Sequence, residues 1–188
     1  HIDITNPKAR ENVLCSTENE LLIVGVPVYM GRVPEVLGEW LHSIQASNTP
    51  TVFIVVYGNR VFDNALLELK DILTKQGCLL IAGAAFIGEH SFHTPELPAA
   101  SEGRPDINDL SLAELFGKKI NKKLHLISSI SDSTSPKIPG SYPYEGVTKM
   151  WDVDFIDVGS ECTNCGVCVD KCPTGAIDKE NSSNINIE

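Results

Sequence analysis

Four cysteines near the C-terminus are the residues in this chain best suited to bind an inorganic cofactor. They lie within eleven residues, with two, two and three residues between successive thiols: Cys162, Cys165, Cys168 and Cys172. This spacing, with Pro173 after the last thiol, is typical of loops that wrap an iron–sulfur cluster. The first three thiolates can reach three corners of one 4Fe–4S cube. The fourth, next to the proline, is a ligand of the other cluster in proteins that hold two.

Two other chemistries fit these thiols less well. Structural zinc sites usually take four thiolates from two separated Cys-x-x-Cys pairs, whereas the spacings here overlap. A disulfide framework is typical of small secreted domains, and this chain has a long apolar remainder and thiols that lie too close together to pair without strain. Cys15 and Cys78, outside the run, are predicted to be inert thiols in the core or in a loop.

The charge of the chain disfavours one class of partner. The formal net charge is −10, and residues 151–188 carry eight acidic residues against two lysines. A phosphate backbone requires the opposite sign, so nucleic acid is not expected as a partner. The acidic surface suits redox partner proteins with a basic docking face, or it serves solubility alone. No apolar run approaches the ~20 residues of a membrane span, which predicts a soluble, cytoplasmic protein.

Three apolar runs predict an α/β fold with a parallel sheet. Leu21–Tyr29, Thr51–Tyr57 and Cys78–Ile87 are each long enough for a strand that is buried on both faces, as parallel strands are. His1–Thr5 alternates apolar and polar residues and is predicted to be the end of a further strand. Helical patterns follow the three runs, and strands that alternate with helices form parallel sheets.

Local signals place the ends of these helices. Pro34 is predicted to open the first helix, and Asp63 to cap the second, which Gly77 would end. Asp106 or Asn108 would cap a third helix with one apolar face, formed by Leu112, Ala113, Phe116, Ile120 and Leu124. The predicted division is an α/β domain over 1–127, a Ser- and Pro-rich linker over 128–150 and the cysteine module over 151–188.

Ligands of open parallel sheets bind beyond the carboxyl ends of the strands. Three segments leave the predicted sheet there: Pro27–Val33, Tyr57–Asp63 and Gly88–His93. Each carries an aromatic ring, and the first two contain a glycine that lets the backbone approach a ligand closely. The three segments together suit a flat, mostly apolar ring with hydrogen-bonding edges, such as isoalloxazine.

Four segments of the chain resemble the flavodoxin–ferredoxin fusion proteins of anaerobic bacteria and archaea: Val24–Pro34, Val56–Arg60, Ala85–Ser91 and Cys162–Pro173. The resemblance covers nearly the whole chain. It implies a flavodoxin-like doubly wound parallel sheet followed by a small ferredoxin-like module. It also implies FMN beside 4Fe–4S clusters, with electron transfer between them.

The resemblance assigns twelve residues to the flavin site. One side of the ring would be flanked by the segment Pro27, Val28, Tyr29, Met30, Gly31 and Arg32. The pyrimidine edge would be covered by Tyr57, Gly58, Asn59 and Arg60, and the mouth of the pocket would be lined by His90 and Ser91. The resemblance also implies that 4Fe–4S metal ligation belongs to the four cysteines of the run.

The chain departs from that family pattern at both ends. Flavodoxins begin with a strand, a phosphate-binding loop and a helix, and none precedes His1. A second cysteine run would fall after Glu188. The expectation is a fragment without these parts, in which the Leu21–Tyr29 strand lies at an edge. FMN is expected to bind the intact protein and to bind the fragment only poorly, because the phosphate site is absent.

Two functions are compatible with the sequence. The first is an electron-transfer protein that couples an FMN site to 4Fe–4S clusters, either as a carrier or as an oxidoreductase component. The alternative is a degenerate flavodoxin scaffold without FMN that carries an iron–sulfur or zinc interaction module. No nucleophile–base constellation is present, so no catalytic residue is assigned and any redox chemistry would be that of the cofactors.

Overall fold

The computed structural model describes residues 1–90, 96, 100–126, 135–147 and 156–186. Two compact units are present: Leu14–Lys149, and His1–Val13 together with Met150–Glu188. In chain order the elements are α1 (Pro7–Arg10), β1 (Cys15–Ser16), β2 (Leu22–Pro27), α2 (Glu35–Ser43), β3 (Gln45–Ala46), β4 (Thr49–Tyr57), α3 (Ala65–Lys75), β5 (Cys78–Ile87), α4 (Ile107–Leu126) and α5 (Val167–Lys171).

The larger unit is built on an open sheet of three parallel strands in the order β2-β4-β5. The three predicted strands are confirmed, with ends that differ by at most two residues. Among the described residues β2 has a partner on one side only, so it lies at an edge. A separate pair, β1 and β3, is also parallel. The predicted α/β class with a parallel sheet is therefore confirmed.

The central strand β4 is covered on both faces. Val52 packs with Ile81 and with Ile120 of α4 in one buried cluster. Phe53 and Val55 alternate with Val52 and Ile54 along the strand, so they lie on the opposite face, and they too are fully buried. This burial explains why β4 is apolar without alternation, as the sequence indicated.

Part of the face that carries Val52 is exposed. Ile23 of β2 pairs with Val52 and is 60% exposed, and Val56 of β4 is 44% exposed. Paired residues of parallel strands share a face, so both side chains belong to the same apolar strip. None of the helices in the described part of the chain is long and apolar enough to cross a bilayer.

The N-terminal segment and two details of the helices differ from the sequence expectations. His1–Thr5 contains no strand; the short helix α1 follows it, capped by the Asn6 side chain, which accepts from the Lys8 amide at 3.0 Å. Asn64, not Asp63, occupies the N-cap position of α3. Leu112, predicted on the buried face of α4, is 60% exposed because the packed face runs along Phe116, Ile120 and Leu124.

Two other helix-end predictions, at Asp106 and Gly77, are confirmed, whereas Pro34 lies at the N-cap of α2, whose first helical residue is Glu35. Asp106 accepts from the amides of Asn108 and Asp109 at 2.8 and 3.0 Å, so it caps α4. Gly77 follows α3 with a φ of 86°, the left-handed conformation that ends helices at low cost for glycine. At the start of α4, the guanidinium of Arg104 holds the pKa of Asp109 at about 2.

Residues 135–147, which the sequence predicts to lie in a linker, contain no helix or strand but pack against the rest of the larger unit. The Tyr144 hydroxyl donates to Asp71 at 2.5 Å, and the guanidinium of Arg32 lies 5.0 Å from the centre of the Tyr144 ring. Burial raises the pKa of Tyr144, and the Asp71 carboxylate raises it further. The Ser141 amide donates to the Asn64 side chain at 3.0 Å.

Gly83 in β5 is required by the fully buried ring of Phe53. A Cβ at position 83 would lie 2.5 Å from the tip of that ring, whereas a Cβ at Gly25 in β2 would meet nothing within 4 Å. We expect Gly83→Ala to lower the free energy of unfolding by about 1–3 kcal/mol through overpacking. The matched control, Gly25→Ala, should leave it unchanged or slightly raised. Equal midpoints for both variants in urea unfolding would contradict this account.

Candidate functional sites

The cysteine run folds as a tight loop that leads into α5. Two residues of this loop have left-handed backbone, Asn164 with a φ of 53° and Gly166 with a φ of 75°. Asparagine and glycine adopt this conformation at the lowest cost, which explains their places between the cysteines. The Cys162 amide donates to the Gly159 carbonyl at 3.1 Å and closes the start of the loop.

The side chain of Asn164 ties this loop to the segment after α5. Its amide nitrogen donates to the Glu180 carbonyl at 2.9 Å, and its oxygen accepts from the Ser182 amide at 2.7 Å. The segment is itself folded back, because Ile177 and Ile185 form an antiparallel bridge. Sequence reasoning missed this role of Asn164, for which the only signal was an asparagine at a turn position inside the run.

The loop and the folded-back segment line a cavity of about 440 Å³. This volume is many times what a single water molecule needs, so the cavity admits a group of many atoms. Two of the predicted ligands line it, Cys162 and Cys168. The apolar part of its wall is formed by Ile156, Val158, Ile177 and Ile185.

The other two predicted ligands, Cys165 and Cys172, do not line this cavity. The surroundings of each lower its pKa and so favour the thiolate form. The Val167 amide is the main cause that lowers the pKa of Cys165. The Thr174 hydroxyl and the Ala176 amide, at 3.4 and 3.3 Å from the Cys172 sulfur, lower the pKa of that thiol to about 7. Thiolates are the form that binds metal, so both environments favour ligation.

The donor set fits an iron–sulfur cluster by its chemistry. Four unpaired thiols have the expected spacing, and two of them line an apolar-walled cavity. In the described part of the chain, no three side chains among His, Cys, Asp and Glu are placed to hold one metal ion. The fit therefore depends on the donor chemistry and on the cavity, and not on a preformed cage of ligands.

The segment after β2 closes as a tight turn. The Tyr29 and Arg32 backbones exchange two hydrogen bonds of 3.0 Å, and Met30 and Gly31 both have positive φ, at 50° and 81°. Two central residues with positive φ define a type I′ turn. A left-handed methionine is sterically unfavourable, and such strain is concentrated at functional sites. The side chains of Tyr29 and Met30 are about half exposed at the tip.

The structure brings the three strand-end segments together. The first segment lies against the end of the second, because a Cβ on Gly31 would overlap the side chain of Asp63. The amide of Asn64, the next residue, donates to the Gly31 carbonyl at 3.1 Å. Gly58 lies against the ring of His90, since a Cβ on Gly58 would overlap that ring. Tyr57 makes an edge contact with Phe62 at 5.3 Å between ring centroids, and Asn59 has a φ of 57°.

The remaining predicted flavin residues occupy different environments. Pro27 and Arg60 are exposed, and Val28 is partly buried. Ser91 lies outside the described residues.

Arg32, one of the predicted flavin residues, forms a largely buried ion pair with Glu68. Its guanidinium donates to both Glu68 oxygens at 2.8 and 2.7 Å, and the Val33 amide donates to the same carboxylate at 3.0 Å. The hydrogen bonds of Glu68 raise the pKa of Arg32. Sequence reasoning missed Glu68 and Tyr144. The signal for Glu68 was its position in the apolar stripe of a predicted helix: it shares one helix face with Ala65, Leu69 and Ile72, where an acidic residue needs a partner.

Comparison with known proteins supports the cysteine module. Residues 158–178 match the family model of the 4Fe-4S binding domain. The chain therefore contains an iron–sulfur, ferredoxin-like module, which implies 4Fe–4S binding and redox partners in general. No curated protein and no solved structure matches the chain.

Proposed function

We propose that this chain is an electron-transfer protein whose 4Fe–4S cluster is held by Cys162, Cys165 and Cys168, with Cys172 as a ligand of another cluster. The observation that carries the proposal is the match of residues 158–178 to the 4Fe-4S binding domain, over a segment in which Cys162 and Cys168 line a cavity. When bound, the cluster supplies one-electron exchange. The chain supplies thiolates, an apolar wall and a loop held by Asn164.

The finer proposal is that the larger unit is a flavodoxin-like domain that binds FMN at its strand-end segments. Three features support it: the segments converge, they contain left-handed Met30 and Asn59, and Gly58 lacks a side chain where His90 approaches. The exposed ring of Tyr29 and the partly buried ring of Tyr57 are suited to contact a flat ligand. The protein would then pass electrons between flavin and cluster in the cytoplasm, to partners with a basic docking face.

One observation favours the alternative of a scaffold without FMN. Glu68 binds the guanidinium of Arg32, and Tyr144 covers it, so this charge is already offset without a flavin. In that case the larger unit would serve to present the cluster module. Both functions share the iron–sulfur chemistry and differ only in flavin binding.

Anaerobic reconstitution with iron and sulfide, followed by FMN titration, separates these functions. We expect iron and acid-labile sulfide in the purified protein. We also expect a weak FMN affinity that falls about tenfold further in Tyr57→Ala, since an aromatic contact contributes roughly 0.5–1.5 kcal/mol beyond its buried area. Tyr142→Ala is the control, because Tyr142 is 80% exposed and lies outside the strand-end segments. A cluster without FMN binding would favour the scaffold, and a protein that holds no iron would overturn the electron-transfer proposal.

A further inference from the structure

A buried hydroxyl lies beside the candidate cluster ligands without a partner. Ser182 is 3% exposed, and its side-chain oxygen is shielded from solvent and makes no hydrogen bond within the described part of the chain. A buried polar group without a hydrogen bond costs about 1–3 kcal/mol, so native proteins retain few of them without a reason. Ser182 lines the same cavity as Cys162 and Cys168.

The position of Ser182 is determined by the cysteine loop itself. Its amide donates to the side chain of Asn164, which lies between Cys162 and Cys165 in the run. The backbone of Ser182 is therefore held against the loop that carries the ligands. Its neighbour Ser183 is exposed, so the burial belongs to position 182 and not to the segment as a whole.

The cavity offers few other acceptors to this hydroxyl. Two carboxylates also line it, those of Asp157 and Glu161, but neither accepts a hydrogen bond from Ser182 in the structure. The rest of the wall is mostly aliphatic. A hydroxyl has one proton to donate, and the thiolates and inorganic sulfides of a cluster are acceptors that carry negative charge.

We propose that the Ser182 hydroxyl donates a hydrogen bond to a sulfur of the cluster in this cavity and thereby raises its reduction potential. The proposal deepens the electron-transfer function and rests on it. Reduction by one electron places more negative charge on the sulfurs, so a donor stabilises the reduced state more than the oxidised state. Hydrogen bonds to cluster sulfurs are an established determinant of potential in such centres. Ser182 would therefore tune the reduction potential of the cluster without being one of its ligands.

The test compares Ser182→Ala with Ser183→Ala in the full chain after anaerobic reconstitution. The potential is measured by equilibrium titration with dithionite as the reductant, and the Fe–S stretching bands are recorded by resonance Raman spectroscopy in H2O and in D2O. Ser182→Ala should keep the iron and sulfide content of the original protein and titrate at a more negative potential. It should also lose part of the D2O shift. Ser183→Ala should match the original protein in all three measurements.

Three outcomes would contradict the proposal, and each can be told from the others. A fully loaded Ser182→Ala with an unchanged potential and an unchanged D2O shift would overturn the role of Ser182 and leave the electron-transfer function standing. Loss of the cluster from Ser182→Ala alone would also overturn the proposal, because the hydroxyl would then be needed to retain the cluster and not to set its potential. An original protein that takes up no iron would overturn both.

Discussion

Cys168→Ala should lose most of its iron and acid-labile sulfide. Removal of a supporting residue lowers metal affinity roughly 10–100-fold, and removal of a ligand should lower it further. Cys168 lines the cavity and lies in the first turn of α5, so its position is fixed by the helix and by the loop before it, which Asn164 holds. Alanine favours helix, which means that the loss would report the missing ligand and not a damaged α5. Iron analysis and the visible absorption of the anaerobic protein measure it.

Cys15→Ala is the matched control for this experiment. Cys15 is also a free and exposed thiol, but it lies in β1 of the larger unit. The control variant should keep the full iron and sulfide content of the original protein. Equal iron contents in Cys168→Ala and Cys15→Ala would remove Cys168 from the ligand set.

Glu68→Ala should lower the free energy of unfolding by about 3 kcal/mol, the lower end of the cost of breaking a buried ion pair. The pair is largely buried, with 15% of the Arg32 side chain and 11% of the Glu68 side chain exposed. Removing the carboxylate leaves the guanidinium without its two hydrogen bonds and also leaves the buried Val33 amide unpaired. Both losses destabilise the folded state, because a buried donor without a hydrogen bond has lost its hydration and gained nothing in its place.

Glu114→Ala serves as the comparison, since Glu114 pairs with Lys118 on the surface of α4 with about two thirds of each side chain exposed. An exposed pair of this kind contributes roughly 0.5 kcal/mol or less. Urea unfolding of both variants, together with Arg32→Ala and the double variant Arg32→Ala/Glu68→Ala, gives the coupling energy of the buried pair. A Glu68→Ala effect no larger than that of Glu114→Ala would show that the pair does not stabilise the strand-end segment.

This ion pair bears directly on the flavin proposal. The segment after β2 carries Tyr29 and Met30 at its exposed tip, while Arg32 and Glu68 bind its base to α3. If the tip contacts a flavin, Glu68→Ala should weaken FMN binding as well as stability, because the turn loses its support. If the larger unit is a scaffold, the variant should change stability alone.

The sequence predicted the elements that depend on local pattern. Continuous apolar runs placed β2, β4 and β5, and Gly77 and Asp106 placed two helix ends, because strand burial and helix capping act over a few neighbouring residues. The strand at His1–Thr5 was wrong, since alternation over five residues also occurs in turns. Leu112 was placed on the wrong face because the helical period does not say which of two adjacent faces meets the sheet.

The sequence by itself determined the chemistry of the cysteine run, because the spacing of thiols along a short loop limits which cofactor they can wrap. Tertiary structure alone decided the partners of single polar groups. Arg32 meets Glu68 thirty-six residues away, Tyr144 meets Asp71 seventy-three residues away, and Ser182 is buried beside cysteines from the preceding loop. Pairings over such distances depend on how elements pack, which no local spacing records.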